Sequence, residues 1–325
     1  RAPGRFLLTG SANILLLPGL SESLAGRMEI LTLWPLAQVE IEKASPTENL
    51  IDALFDGELT TRILPATPRS ELIERILRGG YPEPLQRVNE MRRRQWFTSY
   101  VTTILQRDIR DLANIEGLTV LPTLLELLAS RTSGMLNITD LSSTLGMPYI
   151  TTRRYLALLE ATYLALRLPA WSGSLGARLV KTPKMLVTDT GLACHLLDVN
   201  AKRLERETML LGGLLESLVV MELTKQATWS ERTPSLYHWR TQSRQEVDIV
   251  LETRAGEVVG VEVKAASSVN PADFRGLRAL QADLGSRFVR GILFYSGETL
   301  LPFGEGLFAV PLSALWEGVE RLPAA

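Results

Sequence analysis

The 325-residue sequence contains very little cysteine, little histidine and almost no net charge. Its one cysteine, Cys194, excludes an internal disulfide and predicts a reducing, cytoplasmic location. With only two histidines, His195 and His238, we do not expect a zinc cluster. Because the formal net charge is -1, the chain could bind nucleic acid only through a local basic patch.

The sequence also lacks an apolar run long enough to span a membrane. The first stretch, FLLTGSANILLLPGL after Arg5, imitates a signal peptide, but Thr9, Ser11 and Asn13 interrupt it. The sequence begins at Arg1 rather than Met, so we interpret its start as a cut within a longer chain. With 46% hydrophobic and 22% charged residues, it can bury large cores and is expected to form about two to four domains.

The segment QEVDIVLETRAGEVVGVEVKA, residues 245–265, carries the most distinctive chemistry. Two β-branched runs, 247–251 and 258–263, flank a turn and predict a β-hairpin. Asp248, Glu262 and Lys264 lie inside or at the end of these strands, where charge is costly unless it is paired or bound to metal.

The spacing of these three residues predicts how they meet. Glu262 and Lys264 are two apart, so they project to the same face of a strand. Asp248 joins them only if the hairpin has a three-residue loop or a β-bulge, since a two-residue turn would place it on the wrong face. Two carboxylates suit Mg²⁺ or Mn²⁺, and an adjacent ammonium can orient water or neutralise developing charge. The pattern favours phosphodiester hydrolysis; the alternative is a solvated edge hairpin in which Glu and Lys only pair across the surface.

This pattern resembles the PD-(D/E)XK, or restriction-endonuclease-like, nuclease superfamily. The resemblance implies that Asp248 and Glu262 are metal ligands, that Lys264 is the catalytic lysine, and that Glu216 in GGLLESLVVMEL is the helix carboxylate completing the site. The motif departs from the family at the residue before the aspartate, where Val247 replaces proline.

Residues 5–40 predict a strand ending at Thr9, a polar turn, a short helix and a second strand over 28–33. They resemble the last third of the ATPase core in prokaryotic AAA-type ATPases whose C-terminal half is a nuclease-like domain. The resemblance implies that Ser11 or Asn13 is a polar nucleotide sensor. Arg27 would act on the γ-phosphate of a neighbouring subunit or simply cap the turn.

The family's phosphate-binding loop and Mg²⁺-binding acidic strand do not occur in these 325 residues. We therefore expect ATP hydrolysis only from a full-length protein that carries them, which would form homo-oligomers through its ATPase core.

Residues 119–198 show the spacing of a winged helix, with helices predicted over 122–130, 139–145 and 148–160. A β-wing is predicted after them, with strands over 164–168 and 179–187 joined by the loop 171–176. The module is locally basic, with seven cations against Asp140 and Glu160. We expect duplex DNA to contact Arg153, Arg154, Arg178 and Lys181. Alternatively, the module only packs against other domains. The seven cations are Arg131, Arg153, Arg154, Arg167, Arg178, Lys181 and Lys184.

The predicted fold is an α/β multidomain chain: the end of an AAA-type core (1–40), a helical lid (41–118), a winged helix (119–198) and a restriction-endonuclease-like mixed sheet flanked by helices (199–325). In this last domain the expected order is a helix over 210–225, a strand over 236–240, the hairpin, a helix over 271–284, a strand over 291–295 and a last strand near 308–310. The expected function is ATP-regulated, Mg²⁺- or Mn²⁺-dependent DNA processing. The alternatives are a non-catalytic DNA- or protein-binding scaffold and a folded remnant with no activity.

Overall fold

The computed structural model describes residues 6–13, 28–44, 49–56, 59, 62–112, 118–241, 243 and 245–317. These form a mixed α/β structure with one seven-stranded and one three-stranded sheet. None of the helices within these ranges is both long and apolar enough to cross a membrane.

The strands are β1 Arg62–Ile63, β2 Gly134–Met135, β3 Ala165–Leu168, β4 Lys184–Val187, β5 Ser235–Arg240, β6 Glu246–Glu252, β7 Val258–Val263, β8 Phe288–Tyr295, β9 Thr299–Gly304 and β10 Leu307–Pro311. The α-helices are α1 Gln38–Ile41, α2 Leu50–Phe55, α3 Arg69–Arg78, α4 Pro82–Leu85, α5 Glu90–Thr103, α6 Ile109–Leu112, α7 Leu121–Ser130, α8 Ile138–Leu145, α9 Tyr149–Ala161, α10 Leu175–Val180, α11 Thr190–Leu196, α12 Ala201–Arg206, α13 Thr208–Ala227, α14 Arg275–Leu284 and α15 Ala314–Glu317. Between α5 and α6 the chain makes a π-helical turn, Ile104–Asp108.

The large sheet has the strand order β1-β9-β10-β8-β7-β6-β5. Strands β5, β6 and β7 pair antiparallel, whereas β8 pairs parallel with both β7 and β10. Val259 and Val261 of β7 belong to the apolar core that includes α13, while Gly260 between them faces Leu277 and Leu280 of α14. The alternation expected of a strand buried on both faces therefore places one helix on each side of the sheet.

The three-stranded sheet, ordered β2-β4-β3, packs with α7 and α9, and α8 packs against these two helices. Asn137 caps α8 by accepting a hydrogen bond from the amide of Asp140, and Gly146 ends that helix in the left-handed conformation, φ 63°. Such a C-terminal glycine is favoured because it has no Cβ to clash there. The three predicted helices are all present, but the first part of the predicted wing strand is instead α10.

The predicted strands near the N-terminus do not form. Residues 6–10 and 28–34 adopt no regular structure, and Phe6, Leu7 and Leu33 are almost fully exposed. A strand needs a neighbour for its amide and carbonyl groups, and no described segment pairs with these residues. The predicted helix over 21–26 lies outside the described residues.

The C-terminal sheet follows the expected order of elements, with additions. Helix α13, strands β5 to β7, helix α14 and strand β8 occur in the predicted sequence. Strand β9 was not expected, and it inserts between β8 and β10 along the chain while pairing with β10 and with the distant β1.

Candidate functional site

The β6–β7 hairpin places Asp248 and Glu262 side by side. Ile249 pairs with Val261 and Glu252 with Val258, so extending this register by one pair sets Asp248 opposite Glu262. Directly opposed residues of an antiparallel pair share a face. The connection 253–257 is closed by a hydrogen bond of 3.0 Å from the Thr253 amide to the Glu257 carbonyl. Because this connection has an odd number of residues, Asp248 lies on the same face as Glu262, whereas a two-residue turn would have placed it on the opposite face.

A β-bulge lies at Asp248 where β6 pairs with β5. Tyr237 pairs with Val250 and Trp239 with Val247, so one residue of β5 faces two residues of β6, Asp248 and Ile249. Bulges redirect side chains and commonly occur beside functional sites. Here the Oδ2 atom of Asp248 accepts a hydrogen bond of 3.0 Å from the Val263 amide, at the end of β7.

A buried lysine from the small sheet completes this group. The Nζ atom of Lys184, the first residue of β4, lies 2.6 Å from Oε1 of Glu216 on α13 and 3.6 Å from Oδ1 of Asp248. Only 8% of the Lys184 side chain is exposed, against 16% for Glu216 and 15% for Asp248. We call Lys184, Glu216, Asp248 and Glu262 the carboxylate–lysine cluster.

Burial and neighbouring charges shift the pKa values of three residues in this cluster. Burial raises the pKa of Glu216 to about 8, and the negative charge of Asp248 adds to that rise. Burial also raises the pKa of Glu262 well above its ordinary value, reinforced by the charge of Asp248 and a hydrogen bond with it. Burial alone would lower the pKa of Lys184, but the charges of Glu216 and Asp248 outweigh burial and raise it. The cluster therefore favours the cationic form of Lys184, while burial favours the protonated forms of Glu216 and Glu262.

Lys264, the predicted catalytic lysine, does not join the cluster. Its ammonium forms an ion pair with Asp273, in the 3₁₀ turn before α14, and 39% of the Lys264 side chain is exposed. The alternation of side chains along a strand predicts the face from which the Lys264 side chain leaves the backbone. It does not predict where the ammonium ends, because the four methylene groups of lysine let it reach a nearby carboxylate, here that of Asp273.

Glu262 is enclosed by α14. A Cβ atom on Gly276 would stand 2.6 Å from Oε1 of Glu262 and 2.1 Å from the Glu246 carbonyl oxygen. Only glycine allows this approach, so Gly276 is a positioning residue for the cluster that the sequence pattern did not reveal.

The cluster does not fit a divalent metal ion in this arrangement. Among the described residues, no group of three or more His, Cys, Asp or Glu side chains is placed to hold a metal. The ammonium of Lys184 contacts two of the three carboxyl groups, and the third shares a hydrogen bond with Asp248. The carboxylates predicted as metal ligands thus have a lysine cation and protons as partners.

The predicted basic patch of the winged helix is smaller than its composition suggested. Four of its seven cations are engaged within the chain, because Arg131, Arg167, Arg178 and Lys184 pair with Asp140, Glu160, Glu252 and Glu216, respectively. Arg178, a predicted DNA contact, also lies over the rings of Trp171 and Tyr237 at 5.2 and 5.0 Å.

The other three predicted DNA contacts lie at the surface. Arg153 and Arg154 are exposed on α9, and Lys181 is exposed just before β4. Within the described part of the chain, no hydrogen bond or ion pair engages the side chains of these three residues.

The predicted nucleotide sensors lie away from the large sheet. Ser11 is exposed, and the amide of Asn13 donates a hydrogen bond of 2.8 Å to the Ala161 carbonyl at the end of α9. Arg27 lies outside the described residues. The roles of these three residues stay predictions.

Comparisons with known proteins match two parts of the chain separately. Residues 69–203 match the family model "Domain of unknown function (DUF8612)", and residues 211–315 match "Domain of unknown function (DUF4143)".

Two curated mycobacterial proteins are similar over most of the chain. Rv2008c of Mycobacterium tuberculosis and Mb2031c of Mycobacterium bovis are each 29% identical over 309 residues. The alignment covers 95% of this chain and 62% of each relative, so the chain spans less than two thirds of their length.

Among solved structures, a Thermococcus gammatolerans assembly of McrB AAA+ hexamers with bound McrC is similar over 59% of this chain and 70% of that chain. The identity is 13% and the TM-score 0.24, a value that does not establish a common fold.

Proposed function

We propose that the C-terminal sheet is a non-catalytic scaffold that holds the winged-helix module in place. The observation that carries this proposal is the position of Lys184, whose Nζ lies 2.6 Å from Glu216 and 3.6 Å from Asp248. Lys184 belongs to the small sheet, whereas its two partners belong to α13 and β6. The cluster therefore links two modules through buried polar contacts, and removing one partner of such a buried pair is strongly destabilising.

Two further contacts join the same modules. The Trp171 amide donates a hydrogen bond of 2.6 Å to the His238 carbonyl, and the His238 amide donates one of 2.9 Å to the Pro169 carbonyl. Residues 169–171 thus cover the edge strand β5, which would otherwise expose unpaired backbone groups. Arg178 adds a link to Glu252 on β6, with Nη2 at 2.8 Å from Oε1. The two modules are held by backbone and ionic contacts together.

We infer further that this scaffold belongs to an AAA-type ATP-binding protein. The support is the resemblance of residues 5–40 to the end of such an ATPase core, and ATP turnover would reside in the full-length protein. The same resemblance supports homo-oligomers formed through that core.

The rival function is metal-dependent DNA cleavage, and one observation favours it. Asp248 and Glu262 stand directly opposite each other on one face, with Glu216 nearby, as the nuclease resemblance implies. In the rival, Mg²⁺ or Mn²⁺ would have to displace the ammonium of Lys184 and the protons of Glu216 and Glu262.

A cleavage assay separates the two functions. Supercoiled and linear DNA would be incubated with Mn²⁺ and the wild-type chain, Asp248→Ala or Lys264→Ala, with folding checked by circular dichroism. We expect no Mn²⁺-dependent cleavage from any of them and no calorimetric Mn²⁺ binding that depends on Asp248. Cleavage by the wild type that disappears in a folded Asp248→Ala variant would establish the rival.

A further inference from the structure

The helix α9 presents an exposed face that its packing does not use. Tyr149 and Ile150 at its N-terminal end are 47% and 72% exposed, and Arg153 and Arg154 follow one turn later. Since residues four apart lie on the same side of a helix, Tyr149 stands above Arg153 and Ile150 above Arg154. We call these four residues the α9 face.

The opposite side of α9 fixes the helix in the module. Tyr155, Leu156 and Leu159 are buried in the main apolar core, and α9 packs against α8 and β3. The turn between α8 and α9 contains the left-handed Gly146 and then Pro148, which precedes the first helical residue. The backbone of the α9 face is therefore held in place by packing, so a partner would not have to order it.

The charge of the α9 face is not balanced within the described chain. Other arginines of this module, Arg131 and Arg167, pair with Asp140 and Glu160. Glu160 is the only acidic residue of α9, and it is engaged by Arg167. Arg153 and Arg154 have no such partner among the described residues, so the α9 face keeps a charge of two cations.

We propose that the α9 face docks into the major groove of duplex DNA. Resting on the proposed scaffold, this contact would make duplex DNA the ligand of the winged-helix module. An α-helix fits the major groove, and in helix-turn-helix modules the N-terminal residues of the second helix contact the bases. Tyr149 and Ile150 supply ring and methyl groups at that end, and the two arginines reach phosphates or guanine edges. Lys181, also exposed, provides a further phosphate contact.

The charge pattern favours duplex DNA over single strands. Single-strand binding uses several aromatic side chains on which successive bases stack. Among the four residues of the α9 face only Tyr149 is aromatic. Two arginines beside one aromatic and one aliphatic side chain match groove docking better.

Fluorescence anisotropy with a short labelled duplex of mixed sequence tests this inference. We expect the wild-type chain to bind, with affinity that falls steeply as salt rises. The double variant Arg153→Ala/Arg154→Ala should weaken binding by about tenfold or more and lower the slope of log affinity against log salt by about two. Lys181→Ala should lower that slope by about one.

The matched control is Arg92→Ala/Arg93→Ala, which removes an adjacent arginine pair from α5. It changes the net charge equally but should leave affinity and salt slope nearly unchanged. Equal weakening by both double variants, or no duplex binding at low salt, would overturn the proposal. Tighter binding of a matching single strand would overturn the groove-docking geometry.

The outcomes also separate this inference from the non-catalytic scaffold. Mn²⁺-dependent cleavage that requires Asp248 would contradict the scaffold proposal, regardless of how α9 binds DNA. Unchanged DNA affinity in Arg153→Ala/Arg154→Ala would contradict the proposed docking of the α9 face, regardless of the result of the cleavage assay.

Discussion

Two groups of charged residues in this protein look equally functional in the sequence, yet their surroundings differ completely. The carboxylate–lysine cluster is buried, and its charges are balanced by Lys184 and by protons. The α9 face is exposed, and no described residue balances its arginines. Buried charge is costly unless paired, whereas exposed charge costs almost nothing and stays available to a ligand. A charged motif therefore indicates a binding site only when its charge is not already used inside the fold.

Replacing the buried lysine should give the largest effect. Lys184→Met removes the cation that Glu216 and Asp248 share, and breaking one side of a buried ion pair typically costs several kcal/mol. Because Glu216 can remain protonated, we expect a loss near the lower end, about 3 kcal/mol. Urea denaturation followed by tryptophan fluorescence measures the free energy of unfolding.

Lys264→Met is the matched control for that change. The Lys264 side chain is 39% exposed in its pair with Asp273, so its removal should cost less than about 1 kcal/mol. The variant Lys184→Met/Glu216→Gln should lose less than the sum of its single changes, since the two residues interact directly. Equal losses from Lys184→Met and Lys264→Met would show that the cluster is not a link between modules.

Local spacing predicted the parts of the site that lie close together in the sequence. Strand parity and the β-branched runs predicted the hairpin that carries Asp248 and Glu262, and the apolar helix around Glu216 was recognisable because it is apolar on nearly every side. These signals depend on residues within one or two elements.

Spacing could not reveal Lys184, which reaches Asp248 across two modules. In the sequence it is one cation among seven, and only the packing of β4 against α13 and β6 assigns it to the cluster. Lys264 shows the converse, because its position two residues after Glu262 predicted the site, but Asp273 lies nearer to its ammonium. The segments 6–10 and 28–34 show a third limit, since strand propensity produces no strand without a partner.

The pH dependence of stability gives a second, intermediate effect. The pKa of Glu216 is about 8 in the folded chain and has an ordinary value of 4.5, so between these values the folded state holds a proton that the unfolded state has released. Stability must therefore fall as pH rises through this window, by up to a few kcal/mol. Glu216→Gln should flatten that fall, measured as the free energy of unfolding at several pH values.

The titration of His238 limits the pH range in which the effect of Glu216 on stability can be measured separately. Burial lowers its pKa from 6.5 to about 4, so its contribution to stability is lost as pH falls below 6.5, opposite in sign to that of Glu216. Well above pH 6.5 His238 is neutral in both the folded and the unfolded state, so the effect of Glu216→Gln should be measured from about one pH unit above 6.5 to pH 8 or higher. Burial also raises the pKa of Glu262, so the variant should keep part of the slope. An unchanged slope would mean that Glu216 is ionised in the folded protein at neutral pH.

The smallest effect is expected where the charge is exposed. Arg153→Ala/Arg154→Ala should change the free energy of unfolding by no more than about 0.5 kcal/mol, because neither arginine pairs within the described chain and alanine is a better helix former. The same variant is expected to lose DNA affinity, so affinity and stability would respond to different residues. A stability loss as large as that of Lys184→Met would mean that the arginines already have partners in the folded chain. Their charge would then be neutralised within the fold, as it is in the carboxylate–lysine cluster, and the α9 face would not attract phosphates.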